Sequence, residues 1–183
     1  NLFYGTDYHS HLGTKRGGLA AINGEGFVRY IHDITNAQFR SKFETDILSM
    51  KGRLGIGVIS DYEDQPLLIN SHLGSYAIVT VGVVTNADEL ARKAFSKPGV
   101  HFSEMSGNEI NPTELVATLI NGAGTFTEGI QAAQEAIDGS CSILLLTDHG
   151  IYAARDRYGR TPVVLGRKTG VWAASLETCA FPN

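Results

Sequence analysis

The chain has 183 residues, with 15 Lys and Arg against 19 Asp and Glu and a formal net charge of -4. That balance lacks the basic footprint of a nucleic-acid or anionic-membrane binder, and no uncharged apolar run approaches the roughly 18 residues a membrane span needs. Hydrophobic residues at 43% and charged residues at 19% suit one globular domain, and 21 glycines point to many tight turns and short strands.

In chain order, residues 1–30 read as loop-rich, with one strand centred on Gly18-Leu19-Ala20-Ala21-Ile22. Ile34, Phe39, Phe43, Ile47, Leu48 and Met50 recur at three- and four-residue spacing, so helical turns are expected over 34–50, beginning near Thr35 or Asn36. The period then changes to that of strands: 54–60, 66–69 and 76–81, the last two as a hairpin across 72–75. Three helices follow. Asn86-Ala87-Asp88-Glu89 looks like a capping box and its helix ends before Lys97-Pro98-Gly99. Asn111 caps a second, with Pro112 in its first turn and Gly122 closing it. Thr127-Glu128 opens a third that stops at Asp138-Gly139. Strands return at 141–147, 151–155, 162–165 and 170–174, with Asp148-His149-Gly150 as a hairpin turn. The expected class is α+β, with mainly antiparallel sheets covered by helices. The chain opens at Asn1 rather than at Met and stops just after an apolar segment, which reads as a piece excised from a longer parent.

Several local clusters invite chemistry and have structural explanations. His9-Ser10-His11 could present two imidazoles, but no third ligand has matching spacing, so polar loop histidines are expected. Lys15-Arg16-Gly17-Gly18 could form an anion nest but lacks phosphate-loop spacing, which favours a turn with a structural Arg. The run Arg155-Asp156-Arg157-Tyr158-Gly159-Arg160 reads as a turn with local Asp–Arg pairing. Cys141 and Cys179 each lie in apolar surroundings, so both are expected to be buried, inert thiols; with only two cysteines, a reducing, cytoplasmic compartment fits best.

The ordered set of segments is more specific than any of these. Leu12-Gly-Thr-Lys-Arg-Gly-Gly-Leu-Ala20, Gly55-Ile-Gly57 followed by Gln65-Pro66, Gly82 followed by Thr85-Asn86-Ala-Asp-Glu-Leu90, Thr113-Glu114-Leu115, and the stretch from Arg155 to Gly166 with Ala174-Ser175-Leu-Glu177 after it resemble, in order and nearly end to end, the glutaminase domain of amidophosphoribosyltransferases. The resemblance implies a single class II glutamine amidotransferase-like domain over 1–183, truncated at both ends. It implies the αββα N-terminal-nucleophile fold, with two antiparallel sheets between helical layers. In that family an N-terminal Cys attacks the glutamine side-chain amide, an Asn and an adjacent Gly N–H hold the oxyanion, and an Arg and an Asp bind the amino-acid end.

Carried over position by position, those roles fall on residues that cannot perform them. The nucleophile and its opening strand have no counterpart here, so no catalytic residue is assigned. The family's His-x-Arg-Tyr falls on Val58-Ile59-Ser60-Asp61, leaving Ser60 for the Arg. Its Asn-Gly falls on Val81-Gly82, and its Ser-Asp-Ser-Glu on Asn111-Pro112-Thr113-Glu114, leaving Pro112 for the Asp. Glu109 and Glu114 lie close enough in sequence to replace that Asp; no amide precedes Asn86 near Gly82. Asp61, Glu63 and Asp64 make the stretch after Ser60 acidic, with Lys15 and Arg16 as nearby cations. The expectation is a domain that keeps the fold, with a degenerate glutaminase site, acting as scaffold or regulator of a C-terminal phosphoribosyltransferase domain in the parent. The alternatives are a competent amide hydrolase with a retuned pocket and an upstream nucleophile, or a non-catalytic interaction module. A small-molecule amide or amino acid is the implied ligand class, homo-oligomerisation is left open, and no cofactor or metal is implied.

Overall fold

The structure, a computed structural model, describes residues 1–13, 15–96, 102, 105–106 and 109–181. Helix α1 (Leu2–Tyr8) leads through a 3-10 turn at His9–His11 into β1 (Arg16–Asn23) and β2 (Gly26–Asp33). Helix α2 (Phe39–Phe43) and a 3-10 turn at Asp46–Leu48 precede β3 (Leu54–Ser60), β4 (Leu67–Ser71) and β5 (Gly74–Val84). Then come α3 (Ala87–Phe95), the two-residue strands β6 (Met105–Ser106) and β7 (Glu109–Ile110), α4 (Pro112–Ile120) and α5 (Phe126–Ala136). The chain finishes with β8 (Gly139–Thr147), β9 (Gly150–Ala154), β10 (Val164–Lys168), β11 (Val171–Ser175) and a 3-10 turn at Thr178–Ala180.

Two sheets dominate, a three-stranded β2-β1-β3 and a four-stranded β4-β5-β8-β9, each with antiparallel pairs throughout; β10 and β11 form a separate hairpin. The central strands β1 and β5 carry unbroken buried runs because each is covered on both faces, whereas strands with one wet face would alternate. Three clusters mark the interfaces between layers. Ala20, Ile56 and Val58 of one sheet meet Ala77, Val79 and Leu146 of the other. Outside the smaller sheet, Leu19 and Ile34 pack with Phe39 and Phe43 of α2 and Leu2 and Phe3 of α1. Outside the larger, Tyr76, Ile78 and Leu145 lie under Leu90, Leu115, Val116, Ile120 and Ala133 of α3, α4 and α5. Each such full burial of a large apolar side chain contributes about 1.5–3 kcal/mol before conformational entropy is charged against it. The result is the helix–sheet–sheet–helix arrangement expected from sequence. Among the described residues, no helix is long and apolar enough to cross a membrane.

The departures have local causes. Residues 1–30 hold a helix and two strands rather than one strand. Helix α1 (Leu-Phe-Tyr-Gly-Thr-Asp-Tyr) lacks acidic residues in its first turn and basic ones in its last, and β2 is only half-buried and carries Arg29 and His32 in place of a clean alternation. Asn86 precedes α3 but makes no capping bond. Its side chain donates to the Ala136 carbonyl and accepts from the Asp138 N–H, tying the entry of α3 to the exit of α5. Helix α5 begins at Phe126, one residue ahead of the expected Thr127-Glu128 opening, because Thr125 is its cap, accepting from the Glu128 N–H at 3.2 Å. The stop signal expected after α3, at residues 97–99, lies outside the described residues.

Candidate functional site

The four positions that the resemblance assigns to the pocket come from three elements. Ser60 is the last residue of β3, Val81 and Gly82 lie in β5, and Pro112 opens α4. Each non-glycine position adjoins a node of one buried hydrogen-bond network. Ser60 Oγ accepts from the N–H groups of Tyr62 and Glu63 at 3.2 and 3.3 Å. The Glu63 carboxyl accepts from Gln65 Nε2 and from Thr113 Oγ1, both at 2.9 Å. Since Thr113 Oγ1 donates to Glu63, it accepts from Thr80 Oγ1, at 2.5 Å. The Gln65 side chain then spans the backbone of Thr80, donating to its carbonyl at 3.1 Å and accepting from its N–H at 2.7 Å. Thr80 precedes Val81 and Thr113 follows Pro112 in the chain, so the network draws Ser60, Val81 and Pro112 into one neighbourhood.

Chemically, these positions offer little to an amino acid. The Ser60 hydroxyl is committed to its own turn. Val81 presents an isopropyl group. Pro112 occupies the first turn of α4, where its missing N–H costs nothing, and Asn111 caps that helix by accepting from the N–H groups of Thr113 at 2.9 Å and Glu114 at 3.2 Å. Gly82 has a separate explanation. It sits at φ 145°, and a Cβ there would lie 1.9 Å from the Ser140 carbonyl oxygen of β8, so the approach of β5 to β8 demands glycine whatever the chemistry.

Electrostatics set the buried acid apart. Burial pushes the Glu63 carboxyl above its usual range, against the opposing pull of the bonds from Thr113 and Gln65. Among the described residues no cation pairs with it. The facing thiol of Cys141 on β8, 2% exposed, is pushed up to about 12 by burial, reinforced by the charges of Glu63 and Asp156. A thiol held there is no nucleophile near neutrality. Arg16 lies opposite Ser60 in the β1–β3 register, which puts a guanidinium beside the position where the resemblance would place an Arg. It is already engaged, by Asp33 at 2.5 Å and Asp64 at 2.9 Å. Hydrogen bonds from Thr35, then the Arg16 contact, lower the Asp33 carboxyl to about 2.

The remaining sequence candidates resolve as structure. Arg16, Gly17 and Gly18 lie within β1 and Lys15 just before it, so the segment is the entry of a strand with an ion-paired structural Arg rather than an anion nest. His9 Nδ1 contacts the Gly5 carbonyl and its Nε2 contacts Ser175 Oγ. Among the described residues, no group of three or more His, Cys, Asp or Glu side chains could hold a metal ion. In the 155–160 turn, Asp156 accepts from the backbone N–H groups of Tyr158 and Thr161 instead of pairing with an arginine, while Arg157 and Arg160 stack on Tyr158. Cys141 is buried as expected. Cys179 is not: it is exposed in the last 3-10 turn, with its thiol 3.4 Å from Glu177. A surface cleft of about 650 Å³ lies by Asp7, Thr35, Asn36 and Arg40, and none of the four pocket positions lines it. Sequence reasoning missed the Glu63–Gln65–Thr80–Thr113 network, whose partners lie up to 50 residues apart; the one local signal was two polar side chains, Glu63 and Gln65, set just ahead of an apolar strand.

Comparison with known proteins agrees with this architecture. The amidophosphoribosyltransferase of Methanocaldococcus jannaschii is 27% identical over 188 residues, 98% of this chain and 39% of that protein. The Staphylococcus aureus amidophosphoribosyltransferase is 33% identical over 120 residues, 64% of this chain and 23% of that protein. The solved glutamine phosphoribosylpyrophosphate amidotransferase of B. subtilis, in complex with ADP and GMP, superposes with a TM-score of 0.83 at 27% identity, again covering 98% of this chain and 39% of that one. The chain therefore spans well under half the length of these relatives. A family profile described as a glutamine amidotransferase domain matches residues 51–181. With that match and the layered N-terminal-nucleophile fold, the chain belongs to the glutamine amidotransferase domain family.

Proposed function

We propose that residues 1–183 form the glutaminase-like domain of a longer amidophosphoribosyltransferase-like protein, that the domain has kept its fold and lost glutamine hydrolysis, and that it serves a C-terminal phosphoribosyltransferase domain as scaffold or regulator. The observation that carries this reading is the joint state of Ser60, Val81 and Pro112, tied by neighbouring hydrogen bonds into a self-contained network. Glutamine hydrolysis needs a nucleophile, an oxyanion donor and partners for the substrate's carboxylate and ammonium. One oxyanion donor is worth about 3 kcal/mol, and a desolvated charge without a partner costs a similar amount. The losses fall on separate contributions, so they compound. Gly82 does not count against the reading, because β8 requires it. A cytoplasmic location belongs to the same proposal.

Calorimetric titration of the domain with glutamine and with glutamate tests the binding half. Affinity no better than millimolar is expected for either. Micromolar affinity would mean that Arg16 leaves its aspartates to take the ligand carboxylate, and the pocket would then be retuned rather than lost, as a competent hydrolase with its nucleophile upstream would require.

One observation favours a docking role as the form the scaffold takes. Leu165 and Trp172, each 68% exposed, share a face of the β10–β11 hairpin through the Leu165–Ala174 and Arg167–Trp172 pairs, and large exposed apolar groups of this kind mark contact surfaces.

A further inference from the structure

Charge is spread unevenly along the chain. Residues 155–172 hold five of its 15 Lys and Arg and one of its 19 Asp and Glu, so this segment carries +4 while the remainder carries -8. The one acid does not offset its neighbours. Asp156 is 2% exposed and turned inward, accepting from the N–H groups of Tyr158 at 2.9 Å and Thr161 at 2.6 Å. Among the described residues no Asp or Glu forms an ion pair with Arg155, Arg157, Arg160, Arg167 or Lys168.

Aromatic rings and a fixed turn position these cations instead. Arg157 and Arg160 lie over the Tyr158 ring, with Cζ 5.1 and 4.7 Å from its centroid, and Arg167 lies over Trp172 at 5.0 Å. The turn beneath them is fastened to α5 and β8. The Arg157 N–H donates to Gln134 Oε1 at 3.1 Å, the Asp156 N–H donates to Ser142 Oγ at 3.2 Å, and Ser142 Oγ donates to the Thr161 carbonyl at 2.9 Å. In the hairpin that follows, Leu165, Arg167, Trp172 and Ala174 share one face through the strand register, while Phe181 lies against Gly166 on the other. Residues 161–163 join turn to hairpin and span at most about 10 Å. Tyr158, Leu165 and Trp172 are each more than half exposed.

We propose that residues 155–172 are a docking surface for an acidic protein segment, with Trp172 and Leu165 seating against its apolar groups and Arg155, Arg157, Arg160 and Arg167 taking its carboxylates. Arg, Tyr and Trp are the residue types that anchor protein interfaces. Stacking on the rings already restricts the arginines, so less rotamer freedom is lost when a carboxylate arrives, and a guanidinium fork matches a carboxylate in two bonds at once. Four arginines without an acidic partner call for several carboxylates rather than one. A nucleic-acid strand fits less well, because the -8 on the rest of the chain repels a long polyanion and a phosphate backbone has no use for Leu165. This inference rests on the docking form of the scaffold reading and supplies the partner's chemistry.

The test titrates the full-length protein that carries this domain into a fluorescently labelled, Glu-rich peptide containing two leucines, read by anisotropy. Saturable binding is expected, weakened about tenfold by about 0.3 M added salt. Replacing Arg157→Gln and Arg160→Gln together should weaken it about tenfold, and Trp172→Ala by about as much, while Arg92→Gln, an exposed cation on α3, should leave it unchanged. The same peptide with Gln for every Glu should not bind the wild type, a result that does not depend on how any variant folds. No binding of the acidic peptide, binding of the Gln peptide, or an equal loss in R92Q overturns the proposal. So does a single-stranded DNA of equal charge that binds as tightly as the peptide. Failure here leaves the lost-glutaminase reading standing, whereas glutamine-dependent turnover would remove that reading without touching peptide binding.

Discussion

Gly82→Ala separates a glycine kept for chemistry from one kept for packing. The substitution meets two obstacles. At φ 145° an L-residue is strained, at about 1–3 kcal/mol for a backbone held in a sparsely populated region. The new methyl would also sit 1.9 Å from the Ser140 carbonyl oxygen and 3.1 Å from the Cys141 Cα, both backbone atoms of a central strand, so β8 must move rather than a side chain rotate. The pairs Val81–Ser142, Gly82–Cys141 and Val83–Ser140 in the β5–β8 ladder would be disturbed together. Overpacking of this kind adds about 1–3 kcal/mol, giving a total of about 2–6 kcal/mol, a large share of the stability of an ordinary domain. Urea unfolding of wild type and G82A, followed by circular dichroism, reads the loss as a lower midpoint at unchanged slope. A midpoint within error of wild type would refute the packing argument, and the retained glycine would then count as evidence for a surviving oxyanion site.

Other outcomes follow from the same geometry. Asn111→Ala should cost about 0.5–2 kcal/mol in urea unfolding, because both N–H groups that Asn111 serves at the start of α4 lose their acceptor; an unchanged midpoint contradicts it. Thr113→Val keeps the shape but removes the donor to Glu63 and the acceptor for Thr80, so about 1–3 kcal/mol should be lost on the same assay. An alkylating reagent at neutral pH should label Cys179 and leave Cys141 untouched until the chain unfolds, as read by intact mass and peptide mapping; modification of Cys141 in the folded state would show a more accessible or more acidic thiol than the structure allows.

Periodicity and punctuation carried most of the architecture. The bounds of β3 match the sequence expectation, and the Asn111-Pro112 start of α4 could be read because cap and proline are local devices whose partners sit two and three residues away. Helix α1 and β2 were missed for the opposite reason: seven residues with a central Gly and no charge bias at either end, and a strand with few fully buried positions, owe their form to what they pack against. The pocket positions were legible only through the resemblance. What surrounds them was not, since Glu63, Thr80 and Thr113 meet across separate elements and no spacing rule joins residues so distant. Arg16 shows the same limit. Its position beside Ser60 is a matter of strand register, and its commitment to Asp33 and Asp64 appears only once β2 and the 61–66 connection are in place.

The central claim is that glutamine no longer donates nitrogen through this domain. Its most direct test is steady-state turnover of phosphoribosyl pyrophosphate by the full-length protein, supplied in parallel with glutamine and with free ammonia. Ammonia-dependent turnover with no glutamine-dependent turnover above background is the expected result. Glutamine-dependent turnover at a rate matching that with ammonia would contradict the claim, and would require a nucleophile and a substrate pocket built from residues other than Ser60, Val81 and Pro112.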